Sequence, residues 1–385
     1  MIPPDTSILP GTAGNGEYVP DPDTAAPSER EIVRRAMSQR PQDPWPRGRG
    51  HVVLALPGSQ QPEKAYHEPG GSFSPAVGSF GVTIWVLDSQ GSLKTTSDSI
   101  PMELIQQRFC WPDPTGAPAI LTTTPYYEAR WSCGASGTMT LDLEPRGDTV
   151  DRVELVIGRV GPAGGPIRKL CWTSKQLAVD DRWTLIVEPG PSRASVGHEG
   201  EAGWKVQRSP TLQWSREDGW GYARLALASG WSGRLTIHDA APRQPNPLSY
   251  PAVRSTIEMD LPDPRFADCL HAQVAHLMMG LLDRRTPPGD PANYPLAWQL
   301  DGAAVVAGLV RAGQLELSRE LAGYFAENDF FGGFGSEGDA PGQCLRVMED
   351  VAVRDLDCSP GGRGTARRIH SVCGKTFAGG SIRPM

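Results

Sequence analysis

Between His51 and Asp239 the sequence repeats one device: a short β-rich run, a turn signal, then another run. The runs are HVVLAL (51–56), FGVTIWVLD (80–88), AILTTTPYYEARWSC (119–133), TMTLDLE (138–144), VDRVELVIGRV (150–160), RWTLIVE (182–188), GYARLALAS (221–229) and GRLTIHD (233–239). Gly, Pro and Asp separate them. Short strands punctuated in this way, with alternating side chains, pack as an antiparallel sandwich. Residues 49–240 are therefore expected to form a β-sandwich domain. Ten of the eleven tryptophans precede Asp239. An indole in such a sheet either fills the core or offers a flat apolar face to a sugar.

The pattern changes after a proline-rich linker, 241–262. Asp263-Pro264 is a helix start, and Phe266, Leu270, Val274 and Leu277 then recur on one side. His271 and His276 are five apart, so they do not share a face as two metal ligands would; they read as packed or solvated side chains. A loop leads into NYPLAWQLDGAAVVAGLVRAGQLELSRELAGYFAEN (293–328). Asp301 reads as an N-cap, its carboxylate accepting from the first-turn N–H groups. Behind it Ala304, Val305, Gly308 and Leu309 form an apolar side widened by Ala303, Val306, Ala307 and Val310. Gly313 is a plausible stop. Leu317, Leu321, Tyr324 and Phe325 then mark a second helix, so the pair predicts an antiparallel helical hairpin.

The run Asn-Tyr-Pro-Leu-Ala-Trp-Gln-Leu-Asp-Gly-Ala, a helical hairpin, and then Phe-Phe-Gly-Gly-Phe-Gly resembles the first part of a six-hairpin glycosidase, glucoamylase-like or rhamnosidase-like. The resemblance covers about Pro262 to Arg354. It implies a fold in which the sandwich precedes an (α/α)6 toroid, here incomplete, with its first helices over 263–354. It also implies glycoside hydrolysis and a carbohydrate partner. Trp298 and Asp301 match a family pattern of Trp, one residue, then Arg-Asp-Gly-Ala, but Leu300 stands where the family has arginine. Tyr294, Trp298, Asp301 and Glu337 are the expected substrate-binding residues. Glycoside hydrolysis needs two carboxyl groups flanking the bond. In the family these lie on later hairpins, so no catalytic residue is assigned. A non-catalytic carbohydrate-binding protein working through the sandwich, or a non-functional truncation product, are the alternatives.

Gly333, Gly335 and Gly338 satisfy GxGxxG, but a helix precedes them and no βαβ unit surrounds them, which excludes a dinucleotide site. Asp339 in that loop either contacts hydroxyls or caps the next helix, expected over about 340–354 with Cys344, Leu345, Met348, Val351 and Ala352 inward. Residues 355–385 show no periodicity and read as an out-of-frame tail, the native sequence being expected to end near Arg354. A chain cut there would expose Met348 and Val351 and self-associate. Residues 1–48 have too little apolar surface to order.

With 37 basic and 44 acidic residues the net charge is −7, which argues against nucleic acid and anionic membrane as partners. No apolar run approaches ~18 residues, so no membrane span is expected. Seven scattered cysteines fit neither a disulfide framework nor a zinc site. Together with a start lacking a signal peptide's pattern, they point to the cytoplasm. No metal and no cofactor are expected.

Overall fold

The computed structural model of the chain describes residues 51–57, 64–111, 118–134, 137–146, 152–201, 203–205, 211–228, 230, 232–240, 261–282, 284–287, 298–327, 331–332, 335–336 and 340–358. The expectations for 1–48, for most of the 241–262 linker and for 359–385 lie outside the described residues.

Two antiparallel sheets dominate. The eight-stranded sheet runs β1 (Val52–Leu54), β2 (Ala65–His67), β3 (Phe73–Ser74), β4 (Gly81–Leu87), β10 (Arg152–Gly158), β16 (Gly221–Ala226) and β14 (Arg193–His198), with β5 (Leu93–Thr96) also on β4. The nine-stranded sheet runs β15 (Gln213–Ser215), β11 (Lys169–Trp172), β12 (Gln176–Val179), β13 (Trp183–Glu188), β17 (Gly233–Asp239), β9 (Met139–Pro145), β8 (Tyr127–Cys133), β7 (Ala119–Thr123) and β6 (Gln106–Cys110). In β8 and β13 buried residues alternate with half-buried ones, as on a sheet with one face on the core. β4 and β16 are buried at every position, so the centre of the eight-stranded sheet is covered on both faces.

The inner faces of the two sheets share one apolar core, with Ile84, Leu155 and Leu225 from one side and Trp131, Leu141, Leu185 and Ile237 from the other. Trp131 stacks on Phe73 at 3.8 Å and its Nε1 donates to the Gly71 carbonyl at 3.0 Å. On the outer face of the eight-stranded sheet, Trp85 lies opposite Glu154 in register, and Arg224 pairs with Glu154 at 2.6 Å. The remaining donors of Arg224 reach the carbonyls of Trp204 and Lys205, which pins that segment over the sheet. Trp85, Trp131 and Trp183 are buried, so the core-filling role holds for these three indoles.

Helix α1 (Pro264–Met279) begins at Asp263, whose side chain accepts from the Arg265 N–H. His271, Val274, Ala275, Met278 and Met279 are buried, whereas Phe266 is 67% exposed, so α1 packs from about Leu270 onward and its first turn does not. It meets the sandwich at β1, where the Ala55 N–H lies 3.4 Å from Met279 Sδ. Helices α2 (Gln299–Arg311) and α3 (Leu315–Glu327) follow, joined at Gly313, whose φ of 75° suits glycine. A two-stranded ladder, β18 (Phe331–Gly332) with β19 (Gly335–Ser336), precedes α4 (Ala340–Cys358). Helix α4 runs past Arg354, where the periodicity stops.

The structure corrects the expected incomplete (α/α)6 toroid. Two large antiparallel sheets are followed, among the described residues, by only four helices. Helices α2, α3 and α4 pack on one another, and α1 bridges α2 to β1, so the helices close onto the sandwich and not into a ring. Periodicity identified the hairpin but carries no information on how hairpins are arranged. Met348 and Val351, expected at an exposed cut surface, are 4% and 2% exposed and belong to the core, because α4 lays them against α2 and α3. Leu345, expected inward, is exposed, and Val347 is buried in its place.

Candidate functional site

Of the four expected site residues, Tyr294 and Glu337 lie outside the described residues. Trp298 and Asp301 lie together at the start of α2. The helix starts earlier than the sequence suggested. Trp298, extended at φ −113° and ψ 130°, holds the N-cap position without a side-chain cap, and its carbonyl accepts from the Gly302 N–H at 2.8 Å. Asp301 is thus not the N-cap but the third helical residue, where a carboxylate still faces the positive end of the helix dipole. Both side chains are half-buried, and Leu300, in the arginine position, is 53% exposed.

The side of α2 that follows leads into a cavity. Gly302 sits so close to its neighbours that a methyl group there would meet Thr286 Oγ1 and the Phe325 ring. Thr286 and Val305 both line a partly open cavity of about 350 Å³ between sandwich and helices. Val305 is one turn after Asp301 on the same side of the helix. Strand β1 and the residue before it contribute Val52, Val53 and His51, and the end of α1 contributes His276 and Leu277. The volume lies at the lower end of the ~300–1,000 Å³ range of small-molecule sites.

Packing fixes the polar groups of this cavity. The His51 ring meets Tyr66 edge-on at 5.3 Å, and the His276 ring meets Phe109 of β6 edge-on at 4.8 Å. Burial pushes the His276 imidazole below its ordinary value, so it is neutral at neutral pH. Thr286 is 1% exposed; its Oγ1 packs against Gly302 and has no hydrogen-bond partner among the described residues. Among the described residues no Asp, Glu, Lys or Arg lines the cavity.

Sequence reasoning missed His51 and Thr286. Residues 51, 276 and 286 meet only because β1 packs on α1, and no local pattern carries that. One faint signal exists: a lone threonine held between Arg285 and Pro287 in an otherwise breaker-rich loop.

Other polar groups on the sandwich have structural partners. His198 Nε2 contacts Asp218 Oδ2 at 2.8 Å while its Nδ1 accepts from the Gly200 N–H, so both ring nitrogens are engaged. Arg159 is buried beneath Trp220, its guanidinium 4.4 Å from the ring centre. Among the described residues no group of three or more His, Cys, Asp or Glu could hold a metal ion, and no helix is long and apolar enough to cross a membrane. Compared with known proteins, the chain matches no protein-family model and no curated protein.

Proposed function

We propose that this chain is a non-catalytic binding protein whose ligand occupies the cavity between the β-sandwich and the helices, and that the ligand is a neutral carbohydrate. The observation that carries the reading is the composition of the cavity wall. Among the described residues, aliphatic side chains supply most of it, with His51, His276 and Thr286 as the polar residues and no carboxylate. Glycoside hydrolysis needs two carboxyl groups across the scissile bond, which such a wall does not supply. A charged ligand would enter without a counter-charge, at high desolvation cost. A sugar ring has apolar C–H faces and hydroxyls at its edge, which suits this lining. The carbohydrate class rests on the resemblance around Trp298 and Asp301, one turn from the cavity wall. A cytoplasmic location belongs to the same reading and rests on the scattered cysteines.

Calorimetric titration of the full chain with methyl glucosides, maltose and cellobiose tests this. Saturable binding is expected in the wild type and is expected to vanish in Val305→Trp, whose indole fills the cavity. A folded wild type that binds none of these sugars, or a Val305→Trp variant that binds them equally well, would refute the proposal.

A further inference from the structure

We infer that His276 is the residue that recognises a hydroxyl of the ligand in the cavity, an inference that rests on reading this cavity as the binding site. His276 lines the cavity and is half-buried, so its ring keeps surface that a ligand can reach. Thr286 does not, since its Oγ1 is packed against Gly302 beside the Phe325 ring. His276 sits in the last turn of α1, where the negative end of the helix dipole favours a cation. Burial works against that and prevails, which leaves the imidazole neutral at neutral pH. Among the described residues no side-chain hydrogen bond and no charged neighbour acts on the ring.

Packing seats the ring without using its nitrogens. The Phe109 ring of β6 meets it at 4.8 Å with the two planes at 80°. The backbone carbonyl of His276 closes the helix by accepting from the Gly280 N–H at 3.1 Å, and Gly280, which has no side chain, lines the same cavity. A neutral imidazole offers one donor and one acceptor nitrogen. A hydroxyl is its complement, because it can accept from the one or donate to the other. Among the described residues the cavity wall offers no carboxylate to a cation and no Lys or Arg to an anion. The ligand that fits is therefore uncharged, has an apolar ring body, and places one hydroxyl at His276. A site that bonds a hydroxyl discriminates against the analogue that lacks it, because its own polar group then stays unpaired.

Cyclohexanol and cyclohexane are minimal probes: one ring with and without the hydroxyl. Their affinities are to be measured by NMR titration of the full chain, for the wild type, His276→Gln, His276→Phe and Val305→Trp. The wild type should prefer the alcohol by about fivefold, the worth of one net hydrogen bond. His276→Phe should lose that preference while still binding both rings. His276→Gln, whose amide also donates and accepts, should keep it. In the wild type the ring nitrogen resonances of His276 should move further with cyclohexanol than with cyclohexane, a readout that does not depend on any variant folding. If those resonances respond alike to both probes, or if His276→Phe keeps the preference for the alcohol, while Val305→Trp abolishes binding of both, the cavity stands and the role of His276 is overturned. If neither ring binds the folded wild type, or Val305→Trp binds both as the wild type does, the cavity reading fails and takes His276 with it.

Discussion

Acidification between pH 6.5 and about 3 should destabilise this protein, and His67 should carry a large share of the loss. His67 lies on β2 with no exposed surface. Gln107 Nε2 donates to its Nδ1 at 3.3 Å, so the ring proton sits on Nε2, which is buried with no hydrogen-bond partner among the described residues. Burial holds the imidazole at about 3, far below its usual 6.5. The sign follows from proton counting. Below pH 6.5 the unfolded chain protonates His67, while the folded chain does not until about pH 3. The unfolded state therefore binds more protons throughout that window, and stability falls as pH falls. Above pH 6.5 neither state is protonated and nothing is lost.

Each pH unit inside the window removes about 1.4 kcal/mol, so the step from pH 7 to pH 5 costs roughly 2 kcal/mol. Ordinary carboxylates titrate near ~4, so measurements above pH 5 isolate the histidines. Urea unfolding followed by circular dichroism, at pH 7 and pH 5, supplies the numbers. His67→Asn keeps an acceptor near the Nδ1 position and cannot titrate. Whatever packing it loses is common to both pH values and cancels in the difference. The wild type should lose about 2 kcal/mol more than the variant over this step. Equal losses in the two proteins would mean that His67 takes up its proton inside the fold, and the burial argument would be wrong. His276, lowered by burial as well, acts in the same direction in both proteins and leaves the comparison intact.

Glu154→Gln should cost about 3–5 kcal/mol, because it strands the Arg224 guanidinium on the covered face of the eight-stranded sheet; the double variant Glu154→Leu/Arg224→Met should recover most of that loss in the same urea assay. Gly302→Ala should cost about 1–3 kcal/mol by overpacking Thr286 and Phe325, as the same urea assay would detect.

The strands legible in the sequence were those with a sustained apolar pattern. The runs at 80–88, 150–160, 182–188, 221–229 and 233–239 became β4, β10, β13, β16 and β17. Strands β5 (Leu-Lys-Thr-Thr) and β6 (Gln-Gln-Arg-Phe-Cys) were missed because most of their residues are polar and no apolar alternation marks them. The hairpin β12–β13 was missed because Asp180-Asp181, at φ 50° and 54°, replaces the Asn-Gly or Asp-Gly that announces such a turn. Helices α2 and α3 and the stop at Gly313 were readable from spacing. The helix start was not, since Gln299 and Leu300 are good helix formers and the helix extends back over them, past the aspartate. The toroid failed for a different reason: the residues that resemble the family end before any ring could close. Of the candidate site, Trp298 and Asp301 were found at one place, but the cavity beside them depends on a contact between residues more than two hundred positions apart.

The cavity also bears on why sandwich and helices form one core. Interiors are close-packed, with few voids larger than a water molecule. A sealed, empty void of 350 Å³ would cost about 8 kcal/mol at ~24 cal/mol per Å³, comparable with the whole stability of an ordinary domain. The fold avoids that loss because the cavity is partly open, so solvent enters against a wall that gives it few hydrogen bonds. Water held so loosely is displaced at a gain by an apolar surface. A ligand with an apolar face would therefore touch β1, α1 and α2 at once, adding contacts where the Ala55–Met279 interaction now lies. Binding would then raise the stability of the junction itself by the mass-action amount set by ligand concentration over Kd. The gain would appear as reduced hydrogen exchange in β1 and the second half of α1. β17, on the nine-stranded sheet and away from the cavity wall, serves as the internal control: protection there rising by the same factor would point to global stabilisation and not to a ligand clamping the junction.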